Sequence, residues 1–292
     1  MLRDWQNRIN GIRMVNRVLR LSSRSAALTL VFAVSNGLAQ EHDEPAAEHA
    51  ASSSAFHLVT QRTWYFRTFM PDSSNDADTL GLEFITAWEW GDYSATNIAY
   101  IEVADYEVGI PGLPPGNPEP GTASDTGIND LLTAFLFSKE GWHHGPHHFG
   151  LGVAAQLPTG SGETLSSGKW SLGPSVEYEY IGDRLFVAVV ALQLWSVAGD
   201  SERKDVNMLM VKPMITYDLT EKWKVVYMPY GISAYWNKPS GQQWYVPLGG
   251  GIQRQFNIGS KASAFSLQYF HNVVRPDSGA EDDLRLMLEI NF

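Results

Sequence analysis

The sequence predicts an all-β fold, a transmembrane up-and-down antiparallel β-barrel of twelve strands over residues 56–292. Three observations predict it. Most β-prone segments run 10–15 residues and follow one another from Phe56 onward, with no helical pattern of useful length between them. The connections between them alternate long and short. The stretch LRLMLEINF, residues 284–292, alternates strictly and finishes on an aromatic.

Before the barrel come two non-barrel stretches. Arg3, Arg8, Arg13, Arg17, Arg20 and Arg24 precede the apolar run AALTLVFAVSNGLA, opposed only by Asp4. A basic region, a short apolar core and small residues at Gly37 and Ala39 predict a secretory signal peptide over 1–39, starting at Met1 or Met14. The apolar run falls short of the roughly 20 residues that a spanning helix needs. Residues 40–55 are polar and rich in Ala and Ser, which predicts a disordered periplasmic leader. Without residues 1–39, 15 basic and 31 acidic residues remain of the chain's 21 and 32, a net of −16. Such a surface excludes nucleic acid as an electrostatic partner. The chain has no Cys, so disulfides play no part.

The strands are expected at 57–69, 81–90, 93–103, 129–138, 147–157, 169–181, 184–196, 206–219, 222–236, 243–257, 261–273 and 283–292. They are longer than the usual strands of soluble sheets, and a membrane crossing takes about 9–11 residues. Several alternate clearly. Leu82, Phe84 and Trp88 oppose Glu83 and Glu89; Phe149, Leu151, Val153 and Leu157 oppose Gly150, Gly152, Ala154 and Gln156. Trp170, Leu172, Val176, Tyr178 and Tyr180 oppose Ser171, Gly173, Ser175, Glu177 and Glu179. Segments 184–196 and 222–236 are apolar on both sides, and alternation leaves their faces open.

The long connections are PDSSNDADT, a Pro/Gly-rich stretch after residue 103, PTGSGETLSSG, VAGDSERKD, NKPSGQ and VRPDSGAED. The interleaved short ones are GD at 91–92, KEGWHHGP, GD at 182–183, TEK and NIGS. Bacterial outer-membrane barrels have short periplasmic turns, longer external loops and an even strand number. An even number returns both ends to the periplasmic side, and Phe292 then sits at the interface where aromatic girdles form. A terminal alternating strand ending in Phe is the kind of signal that the barrel assembly machinery recognises, so Phe292 is the expected assembly signal and that machinery and outer-membrane lipids the expected partners.

LPTGSGETLSSGKWSLGPSVEY, LWSVAGD, VNMLMVKPMITYDLTEKW and WYVPLGGGIQRQF resemble the bacterial outer-membrane family named for the MetA pathway of phenol degradation. The resemblance covers about residues 125–292. It implies an outer-membrane transporter with a small-molecule cargo, and supplies no catalytic residues.

Charges within membrane strands should face the lumen, because Arg or Lys facing lipid at the midplane costs about 2–4 kcal/mol. The expected lumen lining is therefore Arg67, Glu83, Glu89, Glu177, Glu179, Gln193, Lys212, Gln268, Arg285 and Glu289, together with Gln61, Gln156 and Gln253. These polar residues equally suit the filling of a closed barrel. A mainly acidic lining would favour neutral or cationic solutes. Arg254 falls on the lipid side near the periplasmic end, where it can snorkel.

The cluster GWHHGPHH at 141–148 holds four of the eight His, but its spacing matches no closed metal site. PTGSGETLSSGKW lacks the Ser/Thr and the following helix of a phosphate loop. A barrel lipase needs a nucleophilic Ser beside an oriented His; the chain offers His271-Asn272 but no His-x-Ser-Asn-Gly pattern. No enzyme activity, metal or cofactor is expected. Twelve strands spaced about 4.8 Å and tilted about 40° enclose a backbone radius of about 12 Å, which leaves a narrow lumen. The expected function is a narrow channel or transporter for small, aromatic or hydrophobic compounds. A closed structural barrel with functional external loops is the alternative, and a lipase a more remote one.

Overall fold

A computed structural model describes residues 57–69, 77–106, 125–277 and 279–292. The expected signal peptide and leader lie outside the described residues, as does the Pro/Gly-rich stretch after β3. The chain forms one closed antiparallel sheet. Its strands are β1 (His57–Phe69), β2 (Ala77–Trp90), β3 (Tyr93–Tyr106), β4 (Asp125–Ile128), β5 (Leu131–Lys139), β6 (His147–Leu157) and β7 (Lys169–Ile181). They continue as β8 (Leu185–Gly199), β9 (Asn207–Asp218), β10 (Trp223–Tyr227), β11 (Ile232–Tyr235), β12 (Trp244–Ile258), β13 (Lys261–Val274) and β14 (Asp282–Asn291). A single turn of helix, α1 (Gly162–Leu165), lies in the loop between β6 and β7.

β4 and β5 both pair with β3, and β10 and β11 both lie between β9 and β12. Each pair is one crossing broken in the middle, so the fourteen strands make twelve crossings. β1 pairs with β14, which closes the barrel and leaves no sheet edge. Nearly every strand starts and stops within a few residues of expectation. The two breaks are the departures: β4 lies in a stretch read as the end of the long Pro/Gly-rich connection, ahead of the segment expected at 129–138, and the break between β10 and β11 falls inside the segment 222–236 read as continuous.

Period-two alternation sorts the side chains. Phe135, Phe137, Leu151, Val153, Leu172, Val176, Leu248, Ile252, Phe265 and Leu267 are exposed on the outer face. In water such a surface would aggregate; against lipid it is the stable arrangement. Aromatics gather at its two ends. Trp90, Tyr93, Trp142 and Trp223 stand at the short-turn end, and Trp170, Trp195, Trp236 and Trp244 at the long-loop end. Trp90 stacks on Tyr93 with ring centroids 6.0 Å apart, and Trp236 meets Trp244 edge-on at 5.5 Å. Phe292 is half-exposed, its amide donates to the Val59 carbonyl, and the Lys261 ammonium lies 3.7 Å from its ring centroid. Arg254 is also outside, 5.7 Å over the Trp223 ring.

The interior is not uniformly polar. Leu132, Leu136, Leu192, Leu194, Met208, Met210, Tyr235 and Tyr245 form a continuous apolar core inside the barrel wall. Because β8 and β9 meet lipid outside and this core inside, both faces of segment 184–196 read as apolar.

Candidate functional site

The lumen divides into three levels along the barrel axis. The first is a hollow at the short-turn end, a cavity of about 350 Å³. On its wall Arg62 of β1 donates to Glu83 of β2 at 3.0 Å and to Glu289 of β14 at 2.6 Å. The register makes this geometry obligatory, since Arg62 is paired across the sheet with Glu83 on one side and Glu289 on the other. Glu177 and Glu179 line the wall on β7, and Ile85, Ile98, Val190 and Met214 are its apolar surface.

The second level is a barrier of rings and cations. Lys212 of β9 points its ammonium at Tyr100, Tyr230 and Trp64, at 3.9, 5.0 and 5.7 Å from their ring centroids. Arg285 of β14 stacks against Phe66, Phe270 and Tyr230 at 5.4, 5.8 and 5.9 Å. The Trp64 indole is seated on Gly81, where a Cβ would come within 2.1 Å of its nitrogen. The break between β10 and β11 supplies part of this barrier. Pro229 has no amide hydrogen to give to a ladder, and Met228 to Gly231 leave the sheet. The freed backbone groups of Met228 find partners among lumen side chains. Arg285 Nη1 donates to its carbonyl at 2.7 Å, and its amide donates to Gln268 Oε1 at 3.1 Å. Glu102, also buried, accepts from Asn129 Nδ2 at 3.0 Å.

The third level, toward the long loops, is filled. The loop carrying α1 folds inward, and Leu165 is completely buried. Asp130 holds it. Its carboxylate accepts from Gly160 N at 2.9 Å, Ser167 N at 2.8 Å, Ser167 Oγ at 2.6 Å and Gln156 Nε2 at 3.1 Å. The same loop seals the break between β4 and β5. Ile128 N donates to Ser161 Oγ at 3.1 Å and Leu131 N to Thr159 Oγ1 at 2.9 Å. Arg203 reaches in from the next long loop and donates to the Glu163 and Ser166 carbonyls.

Of the residues expected to line the lumen, Glu83, Glu177, Glu179, Lys212, Gln268, Arg285 and Glu289 stand on the inward phase of their strands, as do Gln156 and Gln253. Glu89 shares the inward phase of β2 but lies at its exposed end, at the rim. Three expectations are corrected. Arg67 and Gln61 face outward, and Arg62, passed over in the sequence, faces in. QRTWYFRTF carries polar and aromatic residues in both phases, so period two leaves the choice of phase open there. Outside, Arg67 lies 3.5 Å from Asp78, which also accepts from the Tyr65 hydroxyl at 2.6 Å. Gln193 likewise faces outward, donating to Asn207 Oδ1 at 3.0 Å and accepting from the Trp236 indole at 3.1 Å. Its inward neighbours, Leu192 and Leu194, belong to the interior apolar core.

On the cavity wall Arg62, Lys212 and Arg285 stand with Glu83, Glu177 and Glu179, and Glu289 is joined to them through Arg62. The sequence offered Asp130 no signal beyond an Asn-Asp pair ahead of an apolar run. For the second break, Pro229 and Gly231 inside an apolar segment were the available clue.

The His cluster lies at the short-turn end. The His143 and His148 rings are 4.5 Å apart, and His147 Nδ1 is 2.9 Å from the Tyr178 hydroxyl. Burial and the neighbouring His148 hold the His143 imidazole below its ordinary pKa. Among the described residues no three His or acidic side chains converge on a metal position. Ser138 Oγ is 3.3 Å from His143 Nε2, but it donates to the Phe149 carbonyl at 2.5 Å and His143 Nδ1 has no partner. The orienting third group of a hydrolase is missing there. His271 sits outside, 2.9 Å from Asp282.

Closure, an apolar outer wall, two aromatic girdles and a charged, ring-lined lumen define a bacterial outer-membrane β-barrel. Residues 62–288 match the family described as "Putative MetA-pathway of phenol degradation", and the chain belongs to it. No curated protein sequence matches the chain. Among solved structures it is similar to the COG4313 outer membrane channel from Pseudomonas putida F1, with 12% identity and a TM-score of 0.56, over 86% of this chain and all of that one. At that identity the likeness shows the fold. The NanC porin overlays at 11% identity and a TM-score of 0.45, over 79% of this chain and 98% of that one. A Pseudomonas aeruginosa FadL homologue does so at 10% and 0.35, over 80% and 73%. Neither of these last two likenesses carries an argument.

Proposed function

We propose that the protein is a narrow outer-membrane channel for small hydrophobic compounds, aromatic ones among them. The observation that carries the reading is the cavity of about 350 Å³, walled by rings and apolar side chains, that opens beneath the ring barrier. Its size is within the usual range of small-molecule sites. Membership of a family named for phenol degradation, and similarity to a protein described as an outer membrane channel, support the same class of cargo. A hydrophilic pore would instead need a continuous water path, and Leu165, Leu192, Leu194, Met208 and Met210 fill the external half.

That packed half favours a second reading, a closed barrel whose external loops are the functional part. Purified, heat-modifiable barrel reconstituted into liposomes separates the two. Under the channel reading, benzyl alcohol enters barrel-containing vesicles faster than barrel-free ones, while glucose does not. Equal rates for both solutes in both vesicle types would leave the closed barrel. Phe292, exposed at the girdle, fits the role of assembly signal in either case.

A further inference from the structure

We infer that Lys212 is a recognition point for the anionic group of an aromatic carboxylate held in the lumen cavity. This rests on the cavity being part of the transport path, and it narrows the class of cargo.

Three cations line the cavity, and two of them already donate to a protein oxygen. Arg62 is held by Glu83 and Glu289, and Arg285 donates through Nη1 to the Met228 carbonyl, its Nε being without a partner. Lys212 is different. Among the described residues its ammonium has no hydrogen-bond acceptor and no carboxylate within ion-pair distance. It meets only ring faces, those of Tyr100, Tyr230 and Trp64. Of the nearby carboxylates, Glu83 is held by Arg62 and Glu102 accepts from Asn129 through Oε2, and neither is within ion-pair distance of the ammonium.

Ring faces attract a cation but accept none of its three N–H bonds in the manner of an oxygen. An ammonium with no oxygen to accept its N–H bonds is costly inside a membrane barrel, and such groups mark ligand paths. The rings that surround it are also the surfaces on which an aromatic solute stacks, and Ile98, Val190 and Met214 continue the apolar wall. An aromatic carboxylate answers both features: its ring meets the rings, and its oxygens receive the N–H bonds.

The register locates the competing charge. Glu177 pairs with Val190 and Val190 with Lys212, so the acid and the ammonium stand two strands apart on one rung. At about 4.8 Å per strand their Cα atoms are roughly 10 Å apart. Glu177 and Glu179 would attract an amine to that side of the cavity, so an amine is the discriminating competitor.

The test is equilibrium binding of benzoate, benzyl alcohol and benzylamine at neutral pH. It uses the purified full-length barrel and its Lys212→Met and Lys212→Arg variants, each checked for folding by heat-modifiability. Wild type should bind benzoate about tenfold more tightly than benzyl alcohol, the scale of one charge-assisted hydrogen bond. Lys212→Met should weaken benzoate binding far more than benzyl alcohol binding, so that the preference is lost, and Lys212→Arg should retain it. If Lys212→Met fails to fold, the wild-type ratio and Lys212→Gln decide. Equal binding of benzoate and benzyl alcohol by wild type, tighter binding of benzylamine, or a preference that survives loss of the ammonium would overturn the assignment and leave the hydrophobic-channel reading standing. Failure of all three compounds to bind would overturn both.

Discussion

Two of the twelve crossings are broken, and they are repaired in different ways. Between β4 and β5, backbone amides on either side of the gap donate to Thr159 and Ser161, which belong to a folded-in long loop. Between β10 and β11, the amide and carbonyl of Met228, freed from the ladder, are taken up by Gln268 and Arg285, side chains on rigid strands. A membrane offers no water to satisfy such gaps, so each must be closed by protein. The first is closed by a segment that can in principle leave, because loops have lower local stability than strands. The second is closed by groups that cannot leave without dismantling the wall. The filled external half and the barrier below it thus differ in kind.

Three substitutions would break or sharpen this contrast. Asp130→Ala should have the largest effect. It strips the acceptor from four donors at once, and buried donors left unsatisfied cost about 1–3 kcal/mol each. We expect a loss of roughly 3 kcal/mol after relaxation. We also expect new protease sensitivity at Gly160 to Gly168 and a rise in benzyl alcohol permeation. An unchanged urea midpoint with an uncut loop would show that the loop holds itself in place. Arg285→Met should come next. It orphans the Met228 carbonyl while keeping apolar volume beside Phe66 and Phe270, at a cost of about 2 kcal/mol. Its prediction is a lowered midpoint without loop cleavage; loop cleavage in this variant would mean the two repairs are coupled. Arg203→Ala should have the smallest effect, about 0.5–1 kcal/mol, since its contacts lie near the loop surface. It should raise the cleavage rate at the loop and lower the urea midpoint only slightly. A loss as large as that of Asp130→Ala would move the clamp from the buried carboxylate to the arginine.

How far the lumen was legible depends on the strand. On β7 and β14 the polar and apolar phases are clean, and Glu177, Glu179, Arg285 and Glu289 take the inward positions that alternation assigns. On β1 both phases carry an Arg and aromatics, so alternation does not tell Arg62, which faces in, from Arg67, which faces out. On β8 the interior is itself apolar, so Gln193 looked like the inward residue when it caps an outer hydrogen bond between strands. Alternation reports contrast between two environments, and it loses its power where lipid and lumen are alike.

The sequence by itself determined the barrel: its closure, strand count and outer apolar wall all follow from period two and the spacing of turns, which are local. The tertiary structure alone decided what occupies the lumen. Arg62 meets Glu83 and Glu289 only because closure brings β14 beside β1, and Asp130 meets Gly160 and Ser167 only because a loop some thirty residues on folds inward. Lys212 reaches Trp64 and Tyr100 across the barrel, and Tyr230 in the break of the neighbouring crossing. Those contacts join positions remote in the chain through the curvature of the wall, and no local pattern encodes a distance across a ring.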